Sequence, residues 1–217
     1  MKAGNFDASR LGYFHYALMM HSLGPSAGGI GELTGDDYIV ASGACDVCYK
    51  CQGTNIPGHL PIEAFCHELG HNLGLNHGGD SGCNGKPNYP SIMNYRHAYF
   101  GIDVDCDDVP DGALDYARGD RVPLNESALI EADGVCGKFW IDWNKDGSVT
   151  PTVKKNLNLD YDPTCGSGAY GAMTDFDDWG SLVFCGVTSG VVPATGTGRK
   201  AAVCYDDAES VGKRLRR

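Results

Sequence analysis

Eleven residues constrain this chain more than any other feature: His67-Glu68-Leu69-Gly70-His71-Asn72-Leu73-Gly74-Leu75-Asn76-His77, an H-E-x-x-H-x-x-G-x-x-H string. On a helix, His67 and His71 leave the same face about one turn apart. That spacing lets two ring nitrogens reach one zinc ion at about 2.0–2.1 Å. Gly74 lets the backbone turn out of the helix, because glycine takes positive φ at little cost. The turn brings His77 round as a third ligand. Three protein ligands leave zinc a fourth position for water, the mark of a catalytic rather than a structural site. Glu68 stands beside that water as the candidate general base.

Ser91-Ile92-Met93-Asn94-Tyr95 follows in a Pro/Asn/Ser-rich turn region, with Met93 sixteen residues beyond His77. With this second element the chain resembles the metzincin clan of zinc peptidases, in which a methionine turn lies beneath the metal. Glu63–His77 and Ser91–Tyr95 carry the resemblance, and Leu114–Glu131 carries it more faintly; the subfamily stays open. The resemblance implies an α+β fold. A mixed twisted sheet and the active-site helix would form an upper lobe (1–77), above an irregular, disulfide-rich lower lobe (78–217). It also implies that Met93 floors the site without ligating the metal. In some families of the clan, a tyrosine at the offset of Tyr95 binds zinc at rest and swings to stabilise the oxyanion; the alternative is a packed tyrosine with a satisfied hydroxyl. Peptide substrate would lie in the cleft as an extra strand on the sheet edge, with Gly31–Thr34 the candidate segment.

Composition bears on compartment and partners. A net charge of −11 argues against nucleic acid, which calls for a basic stripe. No apolar run approaches the ~20 residues of a membrane span. Ten cysteines are too many for a reduced cytosolic enzyme of 217 residues, and permit five disulfides. Cys45, Cys48 and Cys51 have the spacing of a thiolate metal centre, but disulfides are the better reading. Cys66, beside a zinc ligand, is expected to be buried and to tie the helix to the Cys45–Cys51 loop. Asn125-Glu126-Ser127 is a glycosylation sequon. Met1–Arg10 lacks a signal-peptide core, so the chain reads as a processed or truncated form of an exported protein, secreted or extracytoplasmic.

Only 66 residues precede His67, enough for about three strands and their turns. Gly12–Met20 reads as a buried strand, Ala27–Gly31 as a glycine-rich turn and Tyr38–Ala41 as a short strand. Pro61 is expected to open the zinc helix, whose apolar stripe would be Ile62, Phe65, Cys66, Leu69 and Leu73. A further helix is expected around Ser127–Ala132. His15, His21, His59 and His97 lack ligand spacing and read as strand or loop histidines. The basic end Gly212–Arg217 reads as a solvated tail.

Asp142, Asn144, Asp146 and Ser148 offer oxygens at alternating positions, with Gly147 sixth. This is the first half of an EF-hand-type loop over 142–153. Val153 replaces the bidentate glutamate at position twelve, so a shorter calcium loop is expected, completed by Asp160, Asp162 or Asp175–Asp178. The function these features point to is a secreted zinc endopeptidase with Ca2+ as a second ion. Its rival is a non-catalytic, calcium-stabilised extracellular binding module with a structural zinc site. An intact Glu68 and the open three-histidine set argue against the rival.

Overall fold

The computed structural model describes residues 6–7, 10, 14–23, 28–41, 59–97, 100–107, 109–157 and 170–184. Three short strands precede the zinc motif: β1 (Tyr16–Met20), β2 (Gly29–Gly31) and β3 (Asp37–Ala41). They form one mixed sheet in the order β1-β3-β2. β1 runs parallel to β3, from Tyr16 opposite Asp37 to Met20 opposite Ala41, and β2 runs antiparallel, with Ile30 opposite Ile39. Helix α1 (His59–Asn72) packs across β3 and β2. Strand alternation puts Tyr38 and Val40 on one face, and both are buried. Tyr38 meets Phe65 of α1 edge to face, with ring centroids 5.3 Å apart.

Further along, β4 (Leu124–Asn125) pairs antiparallel with β5 (Ala172–Met173), and α2 is a single turn at Asp178–Ser181. The described residues therefore hold two small sheets and two helices, a mixture of α and β. One apolar cluster gathers Leu73, Leu75, Tyr89, Ile92, Met93, Tyr116, Ala117 and Leu182 beneath the zinc motif. A second joins Leu124, Leu129, Trp143, Val153, Leu157 and Met173.

Several local expectations are corrected. Among the described residues β1 is an edge strand, half-buried rather than buried, with Met19 53 % exposed. The expected glycine-rich turn includes a strand, β2. A Cβ at Gly29 or Gly31 would overlap Glu68, so glycine at alternate positions lets the strand lie directly on α1. The other edge among the described strands is thus β2, Gly29–Gly31, and only Gly31 of the expected Gly31–Thr34 segment belongs to it. Helix α1 begins at His59, which makes Pro61 its third residue rather than its first. The proline is still tolerated there, because first-turn N–H groups have no partner within the helix. Ile62 is 57 % exposed and Phe65 is exposed as well, while Glu63, His67 and Glu68 are buried. The buried face of α1 is therefore more polar than an apolar stripe predicts. No helix forms at 127–132. Leu129 pairs with Val153 as an isolated bridge, and turns follow.

Asn72 fastens the helix to the sheet. It is fully buried, and its Nδ2 donates to the Glu32 carbonyl at 3.0 Å and the Asp37 carbonyl at 2.9 Å. His15 Nδ1 stands 3.1 Å from its Oδ1. These contacts fix the β2–β3 connection against the last turn of α1. Asn72→Ala removes one donor from each carbonyl, while the Asp37 carbonyl keeps Glu32 N–H at 3.3 Å. At about 0.5–1.5 kcal/mol per hydrogen bond lost, denaturant unfolding should show a loss of ~1–3 kcal/mol.

Candidate metal centre

Helix α1 ends as the zinc motif requires. Gly74 N–H donates to the His71 carbonyl at 2.9 Å, and Leu75 N–H reaches back to the Gly70 carbonyl at 2.9 Å. With Gly74 at φ 93°, this is a Schellman termination, open to glycine at little strain. The chain reverses, and ligand nitrogens of His67, His71 and His77 come within 4.8 Å of one another. His71 Nε2 lies 3.1 Å from His77 Nε2. Two nitrogens bound tetrahedrally to one zinc ion at about 2.0–2.1 Å would stand ~3.3 Å apart, so the spacing suits a shared ion.

The hydrogen bonds assign the tautomers. His67 Nδ1–H donates to the Ile92 carbonyl at 2.7 Å, and His71 Nδ1–H to the Leu75 carbonyl at 2.8 Å. Each Nε2 therefore carries a lone pair, the usual arrangement when a backbone carbonyl orients a metal-binding imidazole. His67 Nε2 is buried and has no hydrogen-bond partner. Leaving such a group unpaired is costly, and a metal ion at the triad would satisfy it. Burial and the neighbouring His71 and His77 push His67 down to about 3, against the pull of the Ile92 carbonyl, and burial lowers His71 too. Both rings stay neutral, as metal ligation requires.

Beneath the triad, Met93 is fully buried in the first apolar cluster. A Cβ on Gly70 would overlap Met93 Sδ, so this glycine admits the methionine directly under the helix. The turn carrying Met93 is held by asparagines acting as surrogate backbone. Asn94 Nδ2 donates to the carbonyls of Lys86 (2.8 Å) and Tyr89 (2.9 Å), and its Oδ1 accepts from Gly85 N–H at 2.9 Å. Asn84 Oδ1 accepts from Tyr95 N–H at 2.8 Å. Tyr95 is 43 % exposed, and its ring centroid lies 5.3 Å from that of His67 and 4.4 Å from that of His77. The structure thus brings Tyr95 to the triad.

Glu68 is buried, with its carboxylate against β2. Burial pushes its carboxyl up to about 7, while a hydrogen bond with the Gly31 backbone pulls it down. Cys66 carries a free thiol and is half-buried; the Cys45–Cys51 loop to which a tie was expected lies outside the described residues. Cys106 and Cys136 form a disulfide, and Cys83 is disulfide-bonded too. His21 is exposed, whereas His97 is buried and held at about 4 by desolvation, then by Arg96 and Arg121. The side chain of His59 and the segment 212–217 lie outside the described residues.

Asp142, Asn144, Asp146 and Ser148 do share one tight loop. Asp142 accepts N–H bonds from Asp146 (3.1 Å) and Gly147 (2.8 Å), and Asp146 accepts Ser148 Oγ–H at 2.7 Å. Fully buried Glu131 clamps the loop, accepting from Trp143 N–H (2.9 Å) and Thr150 N–H (2.6 Å). Asp175–Asp178 do not complete this loop. Asp175 accepts from Arg121 and Phe176 N–H, Asp177 caps α2 through Gly180 N–H, and Asp178 is buried under the methionine turn. Asp160 and Asp162 lie outside the described residues. Carboxylates of Glu32, Asp36 and Asp37, and of Asp103, Asp105 and Asp111, form two further groups with ligand atoms within 4.8 Å of one another.

No family model, curated protein or solved structure matches the chain. Among the described residues, no helix is long and apolar enough to cross a membrane.

Proposed function

We propose that this chain is a secreted zinc endopeptidase of metzincin type. The observation that carries the reading is the convergence of three histidines, two of them locked by carbonyls with Nε2 turned to a common point. Buried Glu68 lies between that helix and the sheet edge, and Tyr95 lies against the triad. His67, His71 and His77 would hold the ion, which when bound supplies Lewis acidity toward a peptide carbonyl. Glu68 takes the proton of the attacking water and passes it to the leaving amine. Tyr95 donates to the oxyanion. An extended peptide pairs along β2, whose outer edge no other described strand covers. A quenched peptide library tests the reading. Cleavage should cease on chelation and return with zinc, and a zinc-loaded protein that cleaves nothing overturns it.

Calcium belongs to the same proposal as the ion of the 142–148 loop. Binding only the folded state, it should raise the melting temperature as its concentration passes its dissociation constant. Modest affinity is expected, because Val153 is buried in the second cluster and offers no side-chain oxygen. Melts of zinc-loaded protein with calcium and after its selective removal decide this. Identical curves would leave the loop a plain turn.

A further inference from the structure

Asp178 is the buried acid furthest along the described chain, and its contacts reach the zinc motif. Its carboxylate accepts from Tyr89 Oη at 2.8 Å, Ser91 Oγ at 2.6 Å and Ala117 N–H at 3.0 Å. Its own N–H donates to the Ala117 carbonyl at 3.0 Å. Burial pushes the carboxyl up to about 6, against the pull of Ser91 and Tyr89, so at neutral pH it remains an acceptor for all three donors.

Two paths lead from it to one carbonyl. Ser91 Oγ, held by Asp178, accepts Met93 N–H at 3.2 Å and so closes the turn around Ile92. On the other side, Ile92 N–H donates to the Asp115 carbonyl at 3.0 Å, in the segment whose Ala117 is doubly bonded to Asp178. The Ile92 carbonyl accepts His67 Nδ1–H. The first path is made of hydrogen bonds and the second of hydrogen bonds joined by the short backbone run 115–117, all among buried or half-buried groups.

We propose that Asp178 is a positioning residue for the metal centre. It fixes the Ile92 carbonyl from both sides and thereby the orientation and tautomer of His67. The inference rests on reading the triad as a metal site. Groups that orient a ligand from outside the coordination sphere typically change metal affinity 10–100-fold.

The test compares Asp178→Asn with Glu126→Gln in Co2+-loaded protein. Glu126 is equally buried and accepts Leu157 N–H at 2.6 Å and Gly171 N–H at 2.8 Å, so its replacement loosens the second cluster without touching these paths. Asp178→Asn should weaken Co2+ binding about 10–100-fold in chelator competition and shift the visible Co2+ bands. Glu126→Gln should lower the melting temperature and leave both readouts unchanged. Wild-type affinity and bands in Asp178→Asn overturn the inference, and so does an equal loss in both variants. Should Asp178→Asn fail to fold, Ser91→Ala removes one path alone, and unchanged bands and affinity there overturn it too. Wild-type protein that takes up no Co2+ overturns the metal reading itself; uptake indifferent to Asp178 overturns only this step.

Discussion

Glu68→Ala is expected to keep its zinc and to lose peptidase activity by at least ~10²-fold, the low end for a general acid–base group. The three histidine nitrogens form the ligand set without it, so metal content should hold. What disappears is the carboxylate that the glycines of β2 leave room for, between the helix and the sheet edge. Glu68→Gln keeps the shape and removes the base, and it should show a similar loss. Bound zinc, measured beside kcat/KM on the same preparation, separates a chemical defect from a folding one. Near-normal turnover in a zinc-loaded variant would sink the proposed mechanism.

The candidate metal centre was legible because metal-ligand chemistry imposes short-range spacing. Two imidazoles four residues apart, a glycine that ends the helix and a third histidine are all local instructions, and Gly74 at φ 93° obeys them. Met93 was legible only through the resemblance to the metzincin clan. Much of what supports the centre is not local. Asn72, Asn94 and Asp178 hold backbone groups from distant segments, and no periodicity marks a polar residue as a buried clamp. Glycines 29 and 31 were misread because turns and tight strand–helix approaches both favour glycine. Their alternation around Ile30 was the available signal. The expected helix at 127–132 failed through the same non-local effect. Glu126 and Glu131 are fully buried as acceptors for N–H groups of the loops around them. Those bonds and the Leu129–Val153 bridge outweigh a helical propensity worth a few tenths of a kcal/mol per residue.

His77→Ala is expected to weaken zinc binding by at least ~10²-fold, since groups that merely orient a ligand already contribute 10–100-fold. His77 is the member of the triad most dependent on the turn at Gly74, and its Nε2 stands 3.1 Å from that of His71. Without it, His67 and His71 keep their carbonyl partners but offer only two ligands. Zinc at 100 times its dissociation constant stabilises the wild-type fold by ≈ 2.7 kcal/mol. At that same concentration zinc would stand at or below the variant's dissociation constant, where the gain falls below ~0.5 kcal/mol. The zinc-dependent rise in melting temperature should therefore nearly vanish in His77→Ala, and peptide cleavage with it. In metal-free protein the two melting curves should lie close together, because His77 packs against the rings of His71 and Tyr95 rather than in either apolar cluster. A variant that keeps the full zinc-dependent rise would mean that the ion sits elsewhere, and the three-histidine centre would be excluded as its site.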